Sequence, residues 1–141
     1  MATSQMVLAL DVGLKRTGVA SGQTLTQTAN PCDVIAVKNG RLDWQHLDRL
    51  IVEWQPNAII IGDPSSSDPH LNKAINRIKS HIQQNHKLPI FEIDERLTSS
   101  AANEALNDQG LSEKRKTEMR DQIAACLILE TYFRSLDEST L

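Results

Sequence analysis

The stretch Met6-Val-Leu-Ala-Leu-Asp-Val-Gly-Leu-Lys-Arg-Thr-Gly-Val-Ala20 carries more structural information than any other in the chain. Residues 6–12 are apolar except for Asp11. The run is short and contains valine, which predicts a buried strand. An ionised carboxylate in such a strand costs several kcal/mol unless it is paired or coordinated. The pattern that follows, Asp11-x-Gly13-x-x-x-x-Gly18, lets the strand turn tightly into a hairpin and brings backbone N–H groups near a phosphate. Lys15 and Arg16 place positive charge at that turn, and residues 17–21 read as the returning strand. The same pattern occurs in nucleases and in phosphotransferases.

Outward from this hairpin, residues 33–37 predict a third strand, and Lys38-Asn39-Gly40-Arg41 predicts a turn. Asp43 can cap a helix running to about Trp54, with Trp44, Leu47, Leu50, Ile51 and Trp54 at helical spacing. Ala58–Gly62 is an unbroken apolar run of the kind found in central parallel strands. Residues 63–69 read as a polar loop. Residues 71–86 read as an amphipathic helix with Ile75, Ile78 and Ile82 inward and Lys73, Arg77 and His81 on another face. Residues 90–94 predict a strand, and Thr98 or Ser99 can cap a helix that stops near Gly110. A charged connector, 111–120, leads to a last helix over about 118–134, with Ala124, Leu127, Ile128 and Thr131 on one stripe. The order predicts an α/β fold: one domain over 1–141, a mixed five-stranded sheet and helices on both faces.

The 141 residues include 15 Lys+Arg, 18 Asp+Glu, four His and two Cys, for a net charge of -3. That balance excludes a nucleic-acid coat protein with a broad basic surface. No apolar run approaches the ~18 residues of a membrane helix, and the N-terminus lacks the pattern of a secretory signal. Cys32 and Cys126 are expected to be buried thiols in a reducing compartment, which makes the cytoplasm the expected location.

Asp11 closes the first strand, Asp94-Glu95 closes the last, and Asp121 opens the last helix. In an open α/β sheet, ligands sit beyond strand ends. Carboxylates gathered there repel one another unless a cation neutralises them. A hard divalent cation such as Mg²⁺ suits that donor set and also takes phosphate oxygens. The pattern therefore points to metal-dependent phosphoryl chemistry. Bland alternatives are a turn cap for Asp11, a pairing of Glu95 with Arg96 or Lys73, and a first-turn helix acid for Asp121. Ala124, Ala125 and Ile128 follow Asp121 at helical spacing, which sets Asp121 on an inward face.

Three basic clusters could meet a phosphate backbone: Lys15-Arg16; Lys73, Arg77 and Lys79; and Lys114-Arg115-Lys116 with Arg120. Trp44 and Trp54 read as core rather than as base-stacking platforms. His46, His70, His81 and His86 show no zinc spacing with the cysteines and read as surface or loop residues. Ser65-Ser66-Ser67 lacks the context of a nucleophile elbow.

Four blocks occur in order: Val7–Ala20, Ile59-Ile-Ile-Gly-Asp-Pro64, Asp94-Glu-Arg-Leu-Thr98 and Asp121-Gln-Ile-Ala-Ala-Cys-Leu-Ile-Leu-Glu130. Together they resemble the signature blocks of the YqgF/RuvX family of pre-16S rRNA nucleases, which are Holliday-junction-resolvase-like members of the RNase H superfamily. The resemblance runs from about residue 6 to 134. It implies an RNase H-like fold, a cytoplasmic protein, and trimming of the 5′ end of pre-16S rRNA during ribosome maturation. Carried over by motif, the acidic catalytic and metal-binding positions are Asp11, Glu95 and Asp121, with Asp94 a competitor for Glu95. The implied cofactor is Mg²⁺ or Mn²⁺. Lys15, Arg16, Arg96, Lys114, Arg115 and Lys116, read from their charge and their closeness to the acids, are the expected nucleic-acid contacts. The chain departs from the family at Leu14, where Thr or Ser is usual, at Asp63, where Leu is usual, and in the shorter loop after Pro64.

The leading expectation is thus a metal-dependent nuclease acting on pre-16S rRNA, with ribosomal precursor particles as partners and no membrane. Alternatives are a structure-specific nuclease for branched DNA, and a nucleic-acid-binding ribosome-assembly module without catalysis. A sugar-kinase or actin-like ATPase shares the Asp-x-Gly loop but needs two such domains. Eighteen acids less these three leaves 15, equal to the 15 basic residues. That balance suits a local, cation-bridged contact with phosphates.

Overall fold

The computed structural model describes residues 4–95 and 112–139. Six strands form one sheet in the order β4-β3-β2-β1-β5-β6. They are β1 (Met6–Val12), β2 (Arg16–Gln23), β3 (Thr28–Lys38), β4 (Arg41–Leu42), β5 (Ala58–Asp63) and β6 (Ile90–Asp94). β1 to β4 form an antiparallel meander, whereas β5 pairs in parallel with both β1 and β6. The mixed sheet is as expected, with one strand more. Asn39 (φ 53°) and Gly40 (φ 74°) supply the positive φ angles of a two-residue hairpin turn. That turn folds Arg41–Leu42 back onto Val37–Lys38 as β4. β3 also begins five residues before the expected start. The register shifts between Val19 and Ala20, where Cys32 is the extra residue of β3, so residues 28–31 still pair with β2.

Both faces of the sheet are covered. Leu8, Leu10, Val19, Ile35, Ile59 and Ile61 pack against α1 (Trp44–Trp54) and α2 (Pro69–Asn85). Val7, Ala9, Ala20, Ala58 and Ile60 pack against α3 (Glu113–Ser139). The alternation within β1 and β5 is the period-two consequence of strand geometry, and it buries both faces of each strand.

Helix ends follow local chemistry. The Asp43 carboxylate accepts from the His46 N–H at 3.2 Å, and the left-handed Gln55 ends α1 before Pro56. α2 starts two residues before the expected 71. Asp68 caps it by accepting from the His70 N–H, and Pro69 occupies its first position, where no N–H is needed. α3 is longer than expected at both ends. The Ser112 hydroxyl accepts from the Arg115 N–H, so the charged stretch expected to be a connector is helix. Lys and Arg are good helix formers, and an exposed first turn needs no apolar stripe. Its buried stripe is Ala125, Ile128, Leu129, Tyr132 and Phe133, rotated from the expected one. Asp121 consequently lies well inside α3 rather than at its start. The helix expected to stop near Gly110 lies outside the described residues. None of the helices among the described residues is long and apolar enough to cross a membrane.

Candidate active site

β1, β5 and β6 run in the same direction, so their C-terminal ends share one edge of the sheet. Asp11 sits near that end of β1, on the face that Val7 and Ala9 present to α3. Its cross-strand partner on β2 is Gly18. On the other side, the β1–β5 register reaches Leu10 opposite Ile61, and Gly62 is the next residue of β5. Both neighbours of Asp11 therefore lack a side chain, and each absence admits a second acid.

A Cβ at Gly18 would stand 2.1 Å from the Asp121 carbonyl oxygen, so α3 crosses β2 in contact with the glycine backbone. A Cβ at Gly62 would stand 2.8 Å from Glu95 Cγ and 2.5 Å from Ile128 Cδ1. Glu95, directly after β6, thus leans over β5 towards Asp11. Asp94, the last residue of β6, instead lies in register with Asp63. Both glycines therefore form the site by leaving room for α3 and Glu95, a role beyond the turn that Gly18 helps to close and the strand that Gly62 ends.

The electrostatics follow from this crowding. The Asp11 carboxyl is pushed up from 3.8 to about 9, first by burial, then by its hydrogen bond with Glu95 and by the charges of Glu95 and Asp121. This crowding favours the protonated form of Asp11, hydrogen-bonded to Glu95. Asp121 has a cation of its own: Arg16 Nε donates to Asp121 Oδ2 at 2.6 Å. The first-turn reading of Asp121 fails, because its carboxylate is far from the helix start and its partner, Arg16, stands on β2 beneath α3. Three hard oxygen donors around one hydrogen-bonded proton and one guanidinium fit a divalent cation, which would replace the proton.

A family model described as "RuvX: Holliday junction resolvase" matches residues 5–135. The chain belongs to the RuvX family. It is 38% identical over 135 residues to a Saccharophagus degradans protein named "Putative pre-16S rRNA nuclease", covering 94% of this chain and 95% of the relative. A Hydrogenovibrio crunogenus protein of the same name is 36% identical, with 93% and 95% covered. Among solved structures, the fowlpox virus Holliday junction resolvase matches with a TM-score of 0.57 at 16% identity, over 92% of this chain and 99% of that one. T. thermophilus RuvC in complex with a Holliday junction substrate matches with a TM-score of 0.53 at 13% identity, over 93% and 96%. These similarities establish the RNase H-like fold expected for a RuvX chain.

The basic residues of this RuvX chain are spread more widely than the acids. Lys15 is exposed in the β1–β2 turn, beside the half-buried Arg16. Arg115 is exposed and Lys116 half-buried on the first turns of α3, which also carry Lys114. Arg96 lies outside the described residues. Lys79 is tied to Glu92 across the α2–β6 gap. Leu14 is exposed at the turn. The short loop after β5 is closed on itself: the Asp63 carboxylate accepts from the Ser65 N–H, and the Ser66 hydroxyl accepts from the Asp68 N–H.

The groove along α2, about 750 Å³, is lined by Trp44, Lys73, Arg77 and His81 and lies away from the acids. Trp44 is partly buried against the core, as expected, and stacks on His81 at 4.4 Å. Cys32 and Cys126 are free thiols, the first half-buried and the second buried. Burial pushes them up to about 11 and about 12, so neither offers a thiolate near neutrality.

The expectation for the histidines needs correction. His46 Nε2 meets Asp33 at 2.7 Å, while His81 and His86 both meet Asp48, at 2.8 and 2.7 Å. The absence of zinc spacing with cysteine concealed this, because the third partner is a carboxylate on another helix. The Asp48 carboxyl sits below its ordinary value. Burial alone would raise it, but the hydrogen bonds and charges of His86 and His81 outweigh that effect.

Proposed function

We propose that this RuvX chain, acting as a single domain over residues 1–141, is a metal-dependent nuclease that hydrolyses phosphodiester bonds at the 5′ end of pre-16S rRNA. The observation that carries this reading is the meeting of Asp11, Glu95 and Asp121 across two glycines, with Asp11 pushed up to about 9 by the crowding. A structural role would not gather three carboxylates at one sheet edge, because each addition raises the cost of ionising the others. The names of its RuvX relatives supply the substrate, and ribosomal precursor particles in the cytoplasm are where that substrate occurs.

Asp11, Glu95 and Asp121 are the residues that would hold Mg²⁺ or Mn²⁺. When bound, the cation supplies Lewis acidity and a water of lowered pKa. The remaining work belongs to the chain. Asp11 would hold the cation as a carboxylate, its proton passing to solvent, and Glu95 is oriented by its contact with Gly62. Arg16, which pairs with Asp121, and Lys15 beside it would bind and steady phosphate oxygens. Arg115 and Lys116, on the first turns of α3, extend the backbone contact, and Arg96 and Lys114 are the further cations proposed to meet it.

The family description favours a second substrate, branched DNA. The discriminating experiment incubates the purified protein with a 5′-extended 16S rRNA fragment and a synthetic four-way DNA junction, each with Mg²⁺ or Mn²⁺. Faster turnover of the RNA supports the reading, and faster turnover of the junction replaces it with the resolvase reading. Binding of the RNA with no cleavage under any divalent cation points to an assembly module.

A further inference from the structure

The Asp48, His81 and His86 cluster lies on the α1–α2 layer, on the opposite side of the sheet from α3. None of its members takes part in the site described above. One ligand atom from each of the three lies within 4.8 Å of the other two. His81 Nε2 and His86 Nε2 address the same atom, Asp48 Oδ1, at 2.8 and 2.7 Å. The imidazoles are largely covered, at 19% and 15% side-chain exposure, while the carboxylate is open at 41%. Two fixed ligands and an open mouth are what an ion needs in order to enter and stay.

Both imidazoles are held by their surroundings. The Trp44 ring stacks on His81 at 4.4 Å, and the His86 backbone N–H caps α2 by donating to the Ile82 carbonyl at 2.9 Å. His81 Nδ1 has the Asn85 side-chain amide 3.3 Å away. Asn85 Nδ2 also donates to the His81 carbonyl at 3.0 Å, which fixes the amide in this orientation and helps hold His81 in place.

We propose that Asp48, His81 and His86 form a second cation site, selective for a borderline transition-metal ion such as Zn²⁺. Two imidazole nitrogens and one carboxylate oxygen are a borderline donor set, unlike the all-oxygen set at Asp11. Zinc bonds of about 2.0–2.2 Å separate tetrahedral ligand atoms by roughly 3.3 Å. The two imidazole–carboxylate separations, 2.8 and 2.7 Å, lie somewhat inside that value and the third is within 4.8 Å, so small side-chain rotations suffice, with solvent completing the fourth position. The bound ion pins the C-terminal end of α2 to α1.

The test uses the full-length protein, stripped with a chelator and titrated with Zn²⁺ in millimolar Mg²⁺, which keeps the Asp11 site occupied. The expected result is one equivalent bound by calorimetry, a zinc-dependent rise in melting temperature, and a tetrahedral visible spectrum with Co²⁺ that lacks a thiolate charge-transfer band. His81→Gln and His86→Gln should each weaken binding on the order of 100-fold, because each removes a direct ligand. Asp11→Asn should leave it unchanged, and millimolar Mg²⁺ should not compete. Since the outcome does not depend on nuclease activity, its failure is separable from that of the nuclease reading. Zinc affinity surviving in the folded His81→Gln/His86→Gln double variant, a thiolate band with Co²⁺, or no zinc binding by the parent protein would each overturn the proposal.

Discussion

Asp11 and Asp48 are both partly covered aspartates, and the fold drives their carboxyls in opposite directions. At the end of β1, Asp11 meets two more acids and is pushed up to about 9. On α1, Asp48 meets two imidazoles and is held below its ordinary value despite its own burial cost. The first arrangement opposes folding at neutral pH and is kept at a strand end, where a cation would relieve it. The second favours folding as it stands and joins two helices. Like charges brought together by glycines mark the site built for a ligand's charge. Opposite groups brought together by helix packing are a clasp that needs no ligand to persist.

The sharpest way to break this contrast is to neutralise one member of the crowded site. Asp11→Asn or Glu95→Gln should lower phosphodiester turnover by on the order of 10³-fold or more, with the fold unchanged by circular dichroism. Full activity of a clean Asp11→Asn preparation would remove the carboxylates from the chemistry.

Adding a methyl group at either glycine should come next. Gly18→Ala forces its Cβ against the backbone of Asp121, which cannot rotate away, and should cost roughly 1–3 kcal/mol by chemical denaturation. Gly62→Ala meets the ends of Ile128 and Glu95, so its stability cost should be smaller while turnover still falls. Equal activity in both variants would show that the close approach of α3 and Glu95 is not needed.

The pH response separates the two aspartates further. Asp11 binds its proton more tightly folded than unfolded, so its contribution to stability is present below about pH 4 and is lost as pH rises towards 9. In chelated protein, Asp11→Asn should therefore melt higher than the parent by roughly 3 °C or more at pH 7–8, equivalent to about 1 kcal/mol. The gain should shrink to nothing near pH 4 and below. A lower melting temperature at neutral pH would mean that the Asp11 proton is not the strained element.

The smallest effect belongs to the clasp. Asp48→Asn should destabilise chelated protein by no more than about 1 kcal/mol, because the carboxylate is substantially open to solvent. Its pKa is depressed, so its stabilisation is present above the ordinary aspartate range and is lost as pH falls through the folded value. The difference from the parent should close in acid, opposite to the trend at Asp11. Melting curves at pH 3 and pH 7 check this.

Much of the fold was legible in the chain because it is set by nearest neighbours. The β1–β2 hairpin, the Asp43 cap, the Ile75, Ile78 and Ile82 stripe and the apolar β5 each follow from residues within a few positions of one another. The errors came where local signals were weak: the polar start of β3, the two-residue β4, and the charged first turns of α3. Asp11, Glu95 and Asp121 could be picked out as acids at apolar element ends.

The sequence by itself determined which segments pair and fold, and which acids were candidates, because periodicity, caps and turn residues act over short separations. Only the tertiary structure decided that Asp121 meets Arg16, 105 positions away, that Glu95 rather than Asp94 faces Asp11, and that His81 and His86 share Asp48. Those choices depend on strand register and on how closely a helix can approach a strand. Two missing side chains, at Gly18 and Gly62, set that approach, and their effect is felt by residues far from them in sequence.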